Sequence, residues 1–398
     1  MANINNPQEH LSVIHVAGNN GKGSVCAYLQ YILIAAGYKV GVFTSPHLCK
    51  YNERMVIGTS AITDQDFAKW ATIIYDASNK AGYERMSFFE ILTCMAYGYF
   101  SEENVDIAII ETGIGGRLDS TNIIDKPILS IITAPGYDHQ ELLGSELHQI
   151  AAEEAGIIKE GCPVAVYPTS ELPVFTEIAK AKNSTLYYLG SDMEITDVNF
   201  CLDFTRFGIK TAYFSYDGLS IQLLGEHQIQ NAIHALLCVE VLRSNIEIPD
   251  HAVRLGLKDC KWPGRFELVS RKPDIIFDGA HNLDGARIFK EAVVRYFQNR
   301  NIVLVVGIFE HKDFTGILQH LTAVTNTVIC TCSSYRPIPA DKLAGHVKEL
   351  GCSSVLIEED YEQALVKAIK LAGPDGVVAV AGSLYLIGDM YRVIELLA

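Results

Sequence analysis

Residues 15–24 read HVAGNNGKGS, and the fold is decided there. On one side, SVIHVAG (12–18) has the apolar character of a buried strand, with Ala17 as its end. On the other, GKGSVCAYLQYILIAAG (21–37) repeats apolar residues at helical spacing. Between them, glycines 18, 21 and 23 allow backbone N–H groups to turn toward an anion. Lys22 adds positive charge at the helix start, and Ser24 adds a hydroxyl able to reach Mg²⁺. The stretch departs from G-x-x-x-x-G-K-[ST], because Val16 stands at the first Gly and Gly23 follows the Lys. A turn of purely structural use is the alternative. Its place after the first strand, with Lys and hydroxyl together, favours a nucleotide phosphate site at Asn20, Gly21, Lys22, Gly23 and Ser24.

Working outward, KVGVFTS, VDIAIIETG and ILSIITAPG read as further strands, with FFEILTCMAYGYFSEE as a helix among them. That rhythm predicts an α/β fold: a P-loop-type parallel sheet covered on both faces, with ligands at the carboxyl ends of the strands. From 184 to 224 the texture changes to LYYLG, CLDFTRFG, TAYFSYDG and LSIQLLG, which predicts a small appended antiparallel sheet. A helix over 228–243 closes the first domain. KDCKWPGRFELV (258–269) then leads to a fresh series, DIIFDGAH, NIVLVVGIF, NTVICTC, SSVLIE and GVVAVAG. These predict a smaller Rossmann-like α/β domain, giving domains over 1–257 and 258–398 with a cleft between them.

Length agrees, since 398 residues make two or three domains at ~150 residues each. Apolar residues at 49% and charged residues at 20% exclude a disordered chain, a coiled coil and a collagen-like repeat. A net charge of −15, from 32 basic against 47 acidic residues, argues against general nucleic-acid binding. Ten scattered cysteines argue against a disulfide scaffold, and the closest pair, Cys330 and Cys332, in a strand-like apolar stretch, predicts buried reduced thiols. The opening MANINNPQEH has no charged n-region or apolar h-region, and the apolar run over 301–309 is far short of the ~20 residues a membrane span needs. The expectation is a cytoplasmic protein with no membrane partner.

Strand ends supply the other candidates. Glu111 ends VDIAIIE beside the phosphate loop, where a carboxylate would hold nucleotide-bound Mg²⁺. His139 follows ILSIITAPGYD at a neighbouring strand end, although a loop histidine with structural bonds would read the same. Ser45, His47 and Arg54 follow the second strand in TSPHLCKYNER, and SFFE (87–90) and RLDS (117–120) lie near the same edge. Plain turn chemistry is the alternative for these, and core packing is the stronger alternative for Phe88 and Phe89.

In this order AGNNGKGS, TSPHLCKYNER, FFEILT, ETGIGGRLDSTN, DH (138–139), EEAGIIK, GEHQIQNA, WPGRFE, DGAHN and AGSLYLIGD resemble the folylpolyglutamate synthase and dihydrofolate synthase family of the Mur ligase superfamily. The resemblance runs from about residue 7 to the end. It implies an ATP-dependent ligase that phosphorylates a folate or pteroate carboxylate and joins it to the amino group of glutamate. It implies ATP contacts at Asn20, Gly21, Lys22, Gly23, Ser24, Asn231, Arg265 and Asp278, with Ser24, Ser45, Glu111 and His139 toward Mg²⁺ and a monovalent cation as a further candidate. Lys22, His139 and Glu154 would act in catalysis. Arg54, Ser87, Phe88, Phe89, Glu90, Leu118, Asp119 and Ser120 would line the acceptor site, and His281 and Ser383 would lie near the incoming glutamate. Arg265, in the linker, would meet ATP when the domains close, which makes closure a gating step. The implied partners are ATP, glutamate and a folate-like carboxylate, bound by a monomer.

Four features depart from the family pattern. NNPQ begins at residue 5, without the helical segment that usually precedes it, which predicts polyglutamylation of a folate more than pteroate use. EEAGIIK carries Glu154 where the family has a lysine that is normally carbamylated. Its carboxyl group reaches ~3–4 Å less far, against a ~0.2 Å tolerance for a metal ligand, so Glu154 is expected to act through water or beside a weak second metal. Asn19 replaces a Thr in the phosphate loop, a change the turn geometry tolerates, and PGYDH and AHNL depart from the usual loop sequences. A related amide ligase with another acceptor or amino acid, a bifunctional dihydrofolate synthase and a nucleotide-binding regulator without catalysis are the competing readings. Lys22, Ser24, Glu111, His139, Asn231, Arg265 and Asp278 argue together against the last.

Overall fold

The computed structural model describes residues 1–82, 85–190, 192–310 and 314–397. Two short 3₁₀ turns, Ala2–Ile4 and Pro7–His10, precede β1 (Val13–Ala17). Every residue of β1 is buried, as its continuous apolar run requires of a central strand. After α1 (Lys22–Ala35) come β2 (Val40–Phe43), β3 (Met55–Ile57), β4 (Ser60–Ala61), α2 (Asp64–Lys80) and α3 (Phe88–Glu102). The chain continues through β5 (Ile107–Glu111), β6 (Leu129–Ile132), α4 (Gln140–Leu143), α5 (Leu147–Glu154), β7 (Val164–Val166), α6 (Leu172–Ala181) and β8 (Leu186–Tyr188). These strands form one sheet in the order β4-β3-β2-β5-β1-β6-β7-β8. It is parallel from β2 to β8, with β3 and β4 added antiparallel at one edge. β1 thus lies between β5 and β6, so the ends of these three strands converge on the phosphate loop.

A three-stranded antiparallel sheet follows, β9 (Glu194–Phe200), β10 (Thr205–Lys210) and β11 (Ser215–Ile221), in the order β11-β10-β9. It is smaller than the region predicted from 184 onward. LYYLG does not belong to it: β8 pairs in parallel with β7, because α6 provides the crossover that returns the chain to the large sheet. α7 (Glu226–Leu242) is buried along most of its length and packs with α1 against the large sheet. α8 (Asp250–Asp259) also packs on α1, a helix that sequence analysis did not identify.

Residues 260–266 carry the chain into a six-stranded sheet, β12 (Glu267–Ser270), β13 (Asp274–Phe277), β14 (Ile302–Val306), β15 (Thr327–Cys330), β16 (Ser354–Ile357) and β17 (Val377–Ala381). Its order is β12-β13-β17-β14-β15-β16, parallel except for β12. α9 (Leu283–Phe297), α10 (Phe314–Leu321) and α11 (Ala340–Glu349) pack into one apolar cluster, while α12 (Tyr361–Ala372) and α13 (Leu384–Leu397) form another. The five strands predicted for this half are all present, and all ten cysteines are free; Cys330 is buried as expected, but Cys332 is only half-buried because β15 ends at Cys330 and leaves it in the following loop. No helix among the described residues is long and apolar enough to cross a membrane.

Candidate functional site

The phosphate loop is shaped by its glycines. Gly21 caps α1 with φ 88°, a left-handed backbone that an L side chain rarely adopts, and a Cβ there would stand 2.7 Å from Oδ1 of Asn231. A Cβ on Gly23 would strike the indole of Trp262 at 2.7–2.9 Å, so the linker tryptophan lies directly on the loop. The backbone N–H groups of Asn19 and Asn20 both donate to the Ala134 carbonyl at 3.1 Å, fastening the loop to the segment after β6. Lys22 Nζ donates to the Gly18 carbonyl at 2.7 Å. Its ammonium is therefore folded back over the loop, where an incoming phosphate would meet it.

Ser24, 4% exposed, accepts a hydrogen bond from Gln228 Nε2 at 3.2 Å, and Gln228 Oε1 accepts one from Asn231 Nδ2 at 3.1 Å. This chain of contacts ties the first turn of α1 to α7. From the second sheet, Asn282 Nδ2 donates to Oδ1 of Asn20 at 3.2 Å, so the start of α9 touches the phosphate loop.

Glu111 ends β5 inside the wall and accepts from the Ser45 backbone N–H at 2.9 Å. Burial pushes its carboxyl group up from the usual range, while Lys22, the Ser45 amide, Arg265 and Arg54 oppose that shift. Glu154, at the end of α5, is 1% exposed and its Oε2 has no hydrogen-bond partner. Burial pushes it up to about 8, with Lys22 opposing. Such a carboxyl is protonated near neutrality until a cation or a water network reaches it.

Asp138 sits between two histidines, its Oδ1 4.0 Å from His139 Nε2 and its Oδ2 3.9 Å from His281 Nε2. His139 adopts a left-handed backbone at φ 50°. Asp278 turns the linker onto the second sheet: its two oxygens accept from the N–H groups of Phe266 (2.8 Å) and Ala280 (2.7 Å). Burial raises Asp278 to about 6, with Arg265 pulling the other way.

One cavity brings together Asn20, Gly21, Lys22, Gly23, Ser24, Ser45, Glu111, His139, Glu154, Asn231, Arg265, Asp278 and His281. Its walls come from both large sheets. Sequence reasoning missed Asp138, His227, Gln228 and Asn282, which also line it. All four lie inside the motifs DH, GEHQIQNA and DGAHN, so the motifs marked the place without separating these side chains from their neighbours.

The expected acceptor residues lie elsewhere. Ser87 and Glu90 form a reciprocal cap at the start of α3: Ser87 Oγ accepts from the Glu90 N–H at 3.2 Å, and Glu90 Oε2 accepts from the Ser87 N–H at 2.7 Å. Asp119 accepts from the N–H groups of Gly113, Ile114 and Thr121 and from the Thr121 hydroxyl, which fixes the turn after β5. Phe89 packs toward Phe43, Phe88 is half exposed, and Leu118 is 79% exposed. Ser383 is buried and its hydroxyl accepts from the Tyr385 N–H at 3.1 Å. Arg54 is 8% exposed and donates from Nε to His47 Nδ1 at 3.0 Å. Glu90, Asp119 and Ser120 also line a second cavity, of about 570 Å³, between Met1–Ile4, α2 and α3. That volume is within the ~300–1,000 Å³ of small-molecule pockets.

The loop after β2 joins the two halves. Cys49 Sγ lies 3.4 Å from the carbonyl of Gly388, and a Cβ on Gly388 would stand 2.0 Å from the Leu48 carbonyl oxygen. Leu48 itself packs on the apolar cluster under α12 and α13.

Residues 16–239 match the Mur ligase middle domain, and residues 264–384 match the Mur ligase glutamate ligase domain. The dihydrofolate synthase/folylpolyglutamate synthase of Bacillus subtilis is 34% identical over 98% of this chain and 92% of its own length. The chain belongs to the folylpolyglutamate synthase/dihydrofolate synthase family. The Lacticaseibacillus casei folylpolyglutamate synthase is 33% identical over 96% of this chain and 90% of its own. Among solved structures, Escherichia coli FolC in complex with DHPP and ADP superposes with a TM-score of 0.89 at 29% identity, covering 99% of this chain and 92% of that one. Mycobacterium tuberculosis folylpolyglutamate synthase complexed with ADP and AMPPCP gives 0.90 at 28% identity, covering 97% and 92%. Mur ligases of this family are ATP-dependent acid–amino-acid ligases, and the cavity has the polar, cation-bearing wall that a nucleotide needs.

Proposed function

We propose that this chain adds L-glutamate to the carboxylate of a folate, as a folylpolyglutamate synthase, through an acyl phosphate. The observation that supports it is the meeting of the phosphate loop, Glu111, Asn231, Arg265 and Asp278 in one cavity between the two sheets. A carboxylate oxygen is a poor leaving group and phosphate a good one. Transfer of the γ-phosphoryl group of ATP to the acceptor carboxylate therefore comes first. The amino group of glutamate then attacks the acyl carbon, and the tetrahedral intermediate expels phosphate to leave the amide. Positioning and charge neutralisation supply most of the catalysis. The loop amides at the start of α1 hold the phosphate oxygens, and Lys22 leaves the Gly18 carbonyl to neutralise charge on the transferring group.

The residues fit Mg²⁺. Ser24 and Ser45 offer hydroxyl oxygens, Glu111 a buried carboxylate and His139 an imidazole, with the remaining ligands drawn from phosphate and water. When bound, Mg²⁺ offsets the negative charge of the reacting phosphoryl group. The orphaned Oε2 of Glu154 would face this region through water, with a monovalent cation as a further candidate occupant. His281 would lie near the incoming glutamate, and the second cavity would take the ring end of the acceptor, beside Glu90, Asp119 and Ser120. In this reading 1–257 and 258–398 are the two domains of a cytoplasmic monomer. Arg265 in the linker engages ATP as they close.

The second reading is a bifunctional enzyme that also uses dihydropteroate. It is favoured by the name of the Bacillus subtilis relative, which aligns over nearly the full length of both chains. Phosphate release with Mg²⁺-ATP and glutamate separates the readings. Release with tetrahydrofolate alone supports polyglutamylation, and release with dihydropteroate as well supports the bifunctional enzyme. Release with neither acceptor, despite ATP binding, would overturn both.

A further inference from the structure

Three stretches depart from the family pattern near the nucleotide: Asn19 in the phosphate loop, PGYDH (135–139) and AHNL (280–283). In the folded chain they meet at Gly136. Asn19 Nδ2 donates to the Gly136 carbonyl at 2.7 Å, and the Asp138 N–H donates to the same oxygen at 3.2 Å. The backbone of Asn19 adds two further bonds. Its N–H donates to the Ala134 carbonyl at 3.1 Å, and its carbonyl accepts from Lys22 Nζ at 3.4 Å. Asn19 is thus bonded both to the segment that ends in His139 and to the ammonium of the phosphate loop.

The start of α9 closes the third side. Asn282 donates to Asn20 as described, and its Oδ1 accepts from the Gly285 N–H at 2.8 Å, which fixes the direction of the amide. Gly136 is buried among these parts. A Cβ on it would stand 3.1 Å from Asn20 Nδ2, 3.1 Å from Asp284 Oδ2 and 3.6 Å from the Cβ of Asn19. Packing this close opposes a shift of the segment toward the phosphate loop, and the Asn19 bond opposes a shift away.

The contact depends on an amide at residue 19. A threonine hydroxyl is one bond from Cβ and the amide nitrogen two, so the family's usual Thr would stop short of the Gly136 carbonyl. The consequence falls on the cation. Among the side chains that fit Mg²⁺, Ser24 stands in the first turn of α1, on one side of the Asn19 bond, and His139 ends the segment on the other. Metal sites tolerate ~0.2 Å in a ligand distance, so the spacing of these two segments sets how tightly the cation is held. Groups that hold the ligands in place without touching the metal are worth ~10–100-fold in affinity.

We propose that Asn19 is a positioning residue: through Gly136 it sets the spacing between the phosphate loop and His139, and with it the affinity for the divalent cation. The inference rests on the Mg²⁺-nucleotide reading of the cavity and adds a residue that lies outside the ligand set. The departures at 19, 135–139 and 280–283 are then a single adjustment, made where the two loops and α9 meet.

The test is titration of Mn²⁺, in place of Mg²⁺, into the full chain in excess over AMPPCP, with free Mn²⁺ read from its electron paramagnetic resonance signal. Asn19→Ala and Asn19→Thr are each expected to raise the Kd for Mn²⁺ ~10-fold. Affinity for AMPPCP without metal, and Tm, should stay at the wild-type values, which a merely structural role would not allow. Wild-type Mn²⁺ affinity in both variants would overturn the proposal. So would a parallel loss of metal and nucleotide binding, or a wild-type chain that holds Mn²⁺ no more tightly than AMPPCP does alone. A chain that binds Mn²⁺ in this Asn19-dependent way, yet forms no glutamyl amide with any folate, would overturn the ligase reading and leave the role of Asn19 standing.

Discussion

The nucleotide cavity and the flank built by residues 87–90 and 117–120 use similar residue types for different ends. In the cavity, Lys22 meets the Gly18 and Asn19 carbonyls and Glu111 the Ser45 N–H, while Glu154 Oε2 has no hydrogen-bond partner among the described residues. On the flank, Ser87, Glu90 and Asp119 spend their oxygens on backbone N–H groups, closing a helix start and a turn. The difference teaches that a polar motif at a strand end is read by how many of its side-chain bonds the backbone takes: among those described, one backbone N–H for Glu111 and three for Asp119.

Three substitutions would break or sharpen this contrast. Lys22→Ala should lower phosphate release by ~1,000-fold while circular dichroism and the denaturation midpoint remain those of wild type. Turnover near the wild-type rate in that variant would place phosphate stabilisation elsewhere. Asp119→Ala should do the reverse. It strands three backbone N–H groups and the Thr121 hydroxyl, so the unfolding free energy should fall by ~2 kcal/mol with ATP affinity retained. An unchanged denaturant midpoint would show that water replaces the carboxylate without loss.

Glu154 offers the finest test, because it belongs to the cavity and yet bears on stability. Its folded value of about 8 exceeds the ordinary carboxyl value, so between about 4.5 and 8 the folded state holds a proton that the unfolded state has lost. Stability without ligand should therefore fall as pH rises through that window, by up to ~1.4 kcal/mol per unit, and level off above it. Glu154→Gln should remove this part of the slope. Equal slopes for both proteins in chelator-treated samples would show that Glu154 is ionised in the fold.

The phosphate loop and its flanking strand and helix were legible because they are local: β1, the loop and α1 lie within 23 residues. The strands of the second sheet were legible for the same reason. β8 was misassigned because a three-residue strand carries too little pattern to reveal its partner, and α6, which sets its direction, came from a stretch with no marked signal. The motifs located the cavity, since strand ends and helix starts turn sequence order into spatial neighbourhood. They did not reveal that Asn282 would bond Asn20, or that Trp262 would rest on Gly23, because contacts between residues some 240–260 positions apart leave no periodicity behind. The structural duties of Ser87 and Glu90 were legible in principle, since S-x-x-E before an apolar run is a helix-capping signature.

Gly388 makes the two halves of the chain share a history. It lies deep in α13, far along the sequence from the loop after β2, and it has room for nothing larger than hydrogen beside the Leu48 carbonyl. Three residues before Leu48, Ser45 lines the cavity and donates its N–H to Glu111. A methyl group at Gly388 would therefore force α13 and the Leu48 backbone apart, three residues from a wall of the nucleotide cavity. Neither half is free to drift alone, and a chimaera that paired the first half with a second half bearing any other residue at this position would have to reopen the seam at Leu48.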